Sequence, residues 1–172
     1  MKITVLSENT AVDEHLECEH GLSVLVHMQN AVVLFDTGCG DMFIRNSQKL
    51  DVDLAQVTHV ILSHGHYDHA GGIPDFLSMN ETAPVYMRKE ALLPIYAVRA
   101  AGETEYIGVP QTLADSNRLV FSHDGMTVAP GITLYSDFLC SEAIPDTNRG
   151  LMRMEQGQLT PDDFIHEQAA CL

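Results

Sequence analysis

The sequence predicts an α/β fold of the α+β kind, and three features predict it. Apolar runs of strand length recur along the chain, helical stretches are few, and one almost wholly apolar run ends on a cluster of histidines. That last stretch, THVILSHGHYDHAGGIP at residues 58 to 74, places His64, His66, Asp68 and His69 within six positions.

The elements follow in order. KITVLS, LSVLVHM and AVVLFD alternate as strands do, and Gln29 and Asn30 between the last two read as a tight hairpin turn. DMFIRNSQKL follows Gly38 and Gly40. Asp41 is placed to cap it, and Phe43, Ile44 and Leu50 are spaced for one helical face. THVILS, rich in β-branched residues, predicts a strand buried on both faces. The histidines therefore leave the end of an interior strand, where open α/β sheets place their chemistry. IPDFLSMN predicts a short helix opened by Pro74, PVYM a strand, and KEALLPIYAVRA a helix that Pro94 kinks or begins. RLVFS, MTVAP and ITLYS are strands joined by HDG and PG turns. The region from Ser141 to Gln158 reads as loop with LMRM as a brief strand, and PDDFIHEQAACL closes the chain.

A length of 172 residues with 45% apolar content fits a single domain over residues 1–172 with one core. No run of eighteen apolar residues occurs, and the N-terminal residues lack the basic start and apolar stretch of a signal peptide. A cytoplasmic protein with no membrane partner is expected. The formal charge of −15, from 24 acids against 9 bases, opposes phosphate neutralisation, so no nucleic-acid partner is expected either. Cys18, Cys39, Cys140 and Cys171 are scattered without a C-x-x-C pair and read as free thiols.

In an extended or turning backbone residues i and i+2 point the same way, so His64 and His66 can converge on one ion. Asp68 and His69 lie just past the turn, where Gly71 and Gly72 let the backbone bend and pack closely. Imidazoles with a carboxylate suit zinc, manganese or iron. Two ions bridged by water lower its pKa to about 7, giving a hydroxide nucleophile and hence hydrolysis. Isolated histidines are usually structural, and His15, His27, His59 and His123 are read that way.

SHGHYDHAGG resembles the H-x-H-x-D-H motif of the metallo-β-lactamase superfamily, and VLFDTG at 33 to 38 resembles the strand and turn before it. EHGLSVLV, Tyr67 and DDFIHEQ extend the resemblance to the branch named for dihydropterin methyl ribofuranosylaminobenzene phosphate synthase. The resemblance implies an αββα sandwich of which this chain carries the N-terminal half and part of the connection, the second half being incomplete. It implies one or two divalent ions, zinc foremost, with His64 and His66 serving the first and Asp68 and His69 the second. Asp68 would also act catalytically, orienting the attacking water, and Asp36 would stand behind the ligands and steady their loop. A small-molecule ester, phosphoester or related substrate is the expected partner.

The G-C-S-H-like segment that carries a further ligand histidine in that branch is not found, so this chain is expected to be truncated and to offer fewer ligands per ion. His123, His166 or a partner chain are the candidates to substitute. An uncovered sheet face or an unpaired edge would invite homodimerisation. The alternative reading is a non-catalytic remnant that binds metal weakly. A di-iron redox protein ranks last, because such proteins carry Glu where His66 stands.

Overall fold

The computed structural model describes residues 1–138 and 145–172, so Cys140 and the first part of the expected 141–158 loop lie outside the described residues. Thirteen strands and three short α-helices are formed among those described. The main sheet has six strands in the order β1, β2, β3, β4, β5, β8. These are β1 (Lys2–Ser7), β2 (Ser23–His27), β3 (Val32–Phe35), β4 (His59–Ile61), β5 (Val85–Met87) and β8 (Leu119–Phe121). The first three form an antiparallel meander, and the Gln29–Asn30 turn is closed by Met28 N–H donating to Ala31 O at 2.8 Å. From β3 onward the pairing is parallel, with Val33 beside His59 and Val60 beside Val85. Strand β4 is thus central, which is why THVILS is apolar throughout.

The period of two along each strand divides the side chains between two cores. Leu25, Leu34, Val60, Leu62 and Val85 face one side. They pack against Phe43 of α1 (Met42–Lys49) and Ile73 and Phe76 of α3 (Ile73–Met79), all fully or almost fully buried. Each such side chain contributes about 1.5–3 kcal/mol by leaving water. Val26, Val33 and Ile61 face the other side and meet Ile132 and Leu134 of a three-stranded sheet. That sheet runs β13, β10, β9, from β9 (Met126–Ala129), β10 (Ile132–Tyr135) and β13 (Ala169–Cys171). The result is a helix layer, a large sheet and a small sheet. The small sheet's outward positions are Thr127, Thr133, Tyr135 and Cys171. Ala169, opposite Tyr135, is exposed on the same face.

A third, antiparallel sheet joins β12 (Gln158–Pro161), β11 (Leu151–Glu155), β6 (Ile95–Val98) and β7 (Thr104–Tyr106) around Ile95, Ala97 and Ile107. Here the structure corrects the helix expected over KEALLPIYAVRA. A 3-10 turn over Lys89–Leu92 gives way to β6. Pro94 has no N–H to continue a helix, and the burial of Ile95 and Ala97 alternates with Tyr96 and Val98. LMRM does form a strand, within β11. Asp41 occupies the N-cap of α1 but makes no side-chain cap, its carboxylate pairing with Arg45 instead. Leu50, expected on the buried helical face, is the C-cap residue and is exposed. No helix among the described residues is long and apolar enough to cross a membrane.

Candidate metal centre

Three segments build the site: the turn after β3, the loop and helix after β4, and the segment before β13. The loop starts at Ser63, turns through Gly65 and enters α2 (Tyr67–Ala70). Its tail needs glycine. A Cβ on Gly71 would stand 2.0 Å from Cys39 O, and one on Gly72 2.5 Å from Thr37 O, so the loop closes onto the β3 turn only without side chains there. Thr37 N–H donates to His69 O at 2.7 Å across that contact.

Asp36 sits at the turn with φ of 58°, in the left-handed region that Asp tolerates, and is fully buried. Its carboxylate accepts from Ser63 N–H at 2.7 Å, the Ser63 hydroxyl at 2.6 Å and His69 Nδ1–H at 2.7 Å. Burial pushes the Asp36 carboxyl upward against these bonds. His69, which burial alone would lower, is held above its ordinary value by the Asp36 bond and charge.

Proton accounting through this network fixes the rings. The Ser63 hydroxyl hydrogen is given to Asp36, so Ser63 Oγ accepts from His64 Nδ1–H, 2.8 Å away. His64 Nε2 is therefore bare, and it lies 3.1 Å from His66 Nδ1. Burial, then the neighbouring histidines, push His64 down to about 2, so its own Nε2 stays unprotonated. His66 Nε2 is buried without a hydrogen-bond partner and lies 3.8 Å from Asp162 Oδ2. With its hydrogen on Nδ1, His66 donates to His64 Nε2; with it on Nε2, the two facing nitrogens are both open to a shared cation. Two ligands on a tetrahedral zinc stand about 3.3 Å apart. The donor geometry fits such an ion.

Asp68 and His69 lie beside this pair. Neutral His69 gives its Nδ1 hydrogen to Asp36, so its Nε2 is open, 3.7 Å from Asp68 Oδ2. A proton and a cation compete for that nitrogen. All four residues predicted as ligands are thus brought together, with Asp36 behind them.

The sequence reading did not anticipate Asp162. It belongs to DDFIHEQ, where positions i and i+4 hold Asp162 and His166, the one local signal available. Asp162 and His166 are fully buried. His166 Nδ1 accepts from Gly65 N–H at 3.0 Å, so its remaining proton is on Nε2 and is donated to Asp162 Oδ2 at 3.0 Å. Burial, the largest single influence, opposes the Asp162 charge, but the His166 bond and charge, His66 and the Phe164 N–H together outweigh it and the carboxyl is lowered. His66, Asp162 and His166 bring ligand atoms within 4.8 Å of one another. As a cation triad they would require His166 to lose the Nε2 proton while Nδ1 stays bound to Gly65. We read the group instead as a brace: His166 orients Asp162, and Asp162 faces His66. Gln168 completes it. Its backbone N–H donates to Ser63 O and its side-chain amide to Leu62 O and Tyr86 O.

Of the histidines read as structural, His15 is exposed against Asp13, His59 stacks on Tyr86 at 5.9 Å, and His123 donates to Asp124 O. His123 therefore has a local partner, whereas His166 joins the site through the brace.

Fold and donor set define a protein of the metallo-β-lactamase kind, a class whose fold implies a divalent cation. The chain belongs to the metallo-beta-lactamase superfamily, which matches residues 16–136. Its relatives include the uncharacterized protein MJ0448 of Methanocaldococcus jannaschii, 30% identical over 115 residues, covering 66% of this chain and 42% of that protein. The same organism's 7,8-dihydropterin-6-methyl-4-(beta-D-ribofuranosyl)-aminobenzene-5'-phosphate synthase is 27% identical over 185 aligned residues, covering 97% of this chain and 62% of the synthase. Among solved structures, Tm1679, described as a metal-dependent hydrolase of the beta-lactamase superfamily, superposes with a TM-score of 0.78 at 32% identity, covering 98% of this chain and 59% of that one. The chain spans about two fifths to three fifths of the length of these proteins.

Proposed function

We propose that this chain holds one or two divalent ions, zinc foremost, at His64, His66, Asp68 and His69, and hydrolyses a small-molecule ester, phosphoester or related substrate. The observation that supports the reading is the 3.1 Å approach of His66 Nδ1 to His64 Nε2, the nitrogen that the Ser63 contact leaves without a hydrogen. A bound divalent ion supplies Lewis acidity and brings the ionisation of water to about pH 7.

The chain's own residues do the rest. Ser63 holds the His64 ring in the tautomer that leaves Nε2 open, and the Asp162 carboxylate faces His66 Nε2 at 3.8 Å. Asp36 does the same for His69. Asp68 Oδ2 orients the attacking water by accepting its hydrogen bond and takes its proton. The net charge of −15 makes local cations the natural seat for an anionic substrate group.

Metal analysis of protein purified without chelator, beside His66→Ala, tests the centre. Equal metal in both would remove the loop from the chemistry. Hydrolysis of generic phosphodiester, thioester or lactam substrates that rises with zinc or manganese and disappears in His64→Ala would support the enzyme. The second reading, a non-catalytic remnant with weak metal binding, is favoured by the donor count: the motif offers each ion two side chains, against three at a typical catalytic zinc. Metal uptake without turnover of any of these substrates would select it. A cytoplasmic location and homodimerisation belong to the same proposal, the latter measured by light scattering.

A further inference from the structure

The residue that the motif does not account for is His20, in the loop between β1 and β2. Its Nε2 lies 3.3 Å from Asp68 Oδ2, the oxygen that also faces His69 Nε2 at 3.7 Å. On its far side, Nδ1 is 3.0 Å from Asn9 Oδ1, an acceptor, so the ring hydrogen is there and Nε2 of the neutral ring presents a lone pair. In the neutral ring a lone pair and a carboxylate oxygen then face each other at 3.3 Å, the spacing of two ligands on a shared cation.

The loop is fitted to this place. Leu22 N–H donates to Asp68 O at 3.2 Å, and Gly38 N–H donates to Leu22 O at 2.9 Å. Gly21 adopts φ of 136° and a Cβ there would stand 2.1 Å from Asp68 O, so only glycine lets the loop reach α2. The Cys39 thiol donates to His20 O at 2.7 Å, while Cys39 N–H and the Ser7 hydroxyl donate to Glu19 at 3.0 and 3.1 Å. His20 is anchored through its own backbone and both neighbours, although its ring is largely exposed.

We propose that His20 is a third side-chain ligand at the Asp68–His69 cation position. This inference rests on the metal reading above and deepens it. It raises that position from two protein donors to three, the usual complement that leaves one coordination site for water. A direct ion pair between a protonated His20 and Asp68 is the competing arrangement, and it predicts the opposite response to metal.

The test is calorimetric titration of the full chain with zinc alone, comparing wild type with His20→Ala and, as a control, His15→Ala. Wild type and His15→Ala are expected to take up two equivalents. His20→Ala should keep the first affinity and lose at least tenfold in the second, with an unchanged circular dichroism spectrum. Asn9→Ala, which keeps the ring but frees its orientation, should weaken the second equivalent by less. His20→Ala binding both equivalents within twofold of wild type, or more tightly, overturns the assignment and leaves the metal centre standing. So does an Asn9→Ala loss as large as that of His20→Ala, which would place the effect in the loop rather than the ring. A single equivalent in wild type overturns His20 alone; no uptake by wild type overturns both readings.

Discussion

Asp36 and His69 are separated by 33 residues in sequence and joined by a 2.7 Å hydrogen bond between a buried carboxylate and a ring nitrogen. That bond sets which His69 nitrogen remains open. Asp36→Asn keeps a residue type that accepts the left-handed backbone but weakens the hold on His69. Zinc affinity, measured against a chromophoric chelator, is expected to fall 10- to 100-fold. Urea denaturation should show a loss of about 1–3 kcal/mol. Affinity within twofold of wild type would detach Asp36 from the centre.

Asp162 tests the brace. If it orients His66, Asp162→Asn should lower zinc affinity 10- to 100-fold without abolishing binding. If Asp162, His66 and His166 were themselves the cation site, the same change would remove a ligand and the His64→Ala variant would retain full affinity. Parallel titrations of the two variants separate these outcomes.

Gly71 tests the closure of the loop on the β3 turn. With Cys39 O 2.0 Å from its would-be Cβ and Tyr67 O at 2.6 Å, Gly71→Ala must displace backbone and is expected to cost at least about 2 kcal/mol. Gly40→Ala, with nothing within 4 Å of the added carbon, is the matched control and should be near neutral. Equal urea midpoints for the two would contradict the close-packed reading.

Glu17 provides a pH test remote from the centre. The hydrogen bond from Arg45, followed by that from Lys49, holds its carboxyl down to about 2, against an ordinary value of 4.5. A lowered acid stabilises the folded state above its unfolded pKa and loses that contribution as pH falls through the folded one. The melting temperature of wild type should therefore exceed that of Glu17→Gln above pH 5, and the gap should close as pH falls from about 4.5 towards 2. The pair is exposed, so the gap is expected to be small and to shrink with salt. A gap that widens on acidification would refute the assignment.

The parts legible in the sequence were those with local causes. Strand β4 announced itself because burial on both faces demands apolar residues throughout, and the histidine loop because four potential donors fall in six positions. Strand β7 did not, since Thr104, Glu105 and Tyr106 are all exposed and carry no apolar alternation. Pro94 was visible, yet the helical reading of its surroundings yielded to the alternation of Ile95 and Ala97. Asp162 was hidden for another reason, which also kept the place of His166, named only as a candidate substitute ligand, out of view. His166 meets Gly65 across 101 residues, and no local pattern encodes such a contact. His20 was overlooked because its significance lies in what Asn9 and Asp68 do to its two nitrogens.

That separation has a consequence for biosynthesis. A chain emerging from the ribosome displays His64, His66 and His69 about a hundred residues before Asp162 and His166 exist to brace them. During that interval the rings lack this support, and a cation they took up would meet them in unselected tautomers. On the proposed metal reading, correct loading would belong to the final stage of maturation, after long-range closure has been achieved. Arrested nascent chains ending before Asp162 should take up zinc weakly and exchange it fast. Tight retention by such chains would show that the histidine loop is organised without its distant support.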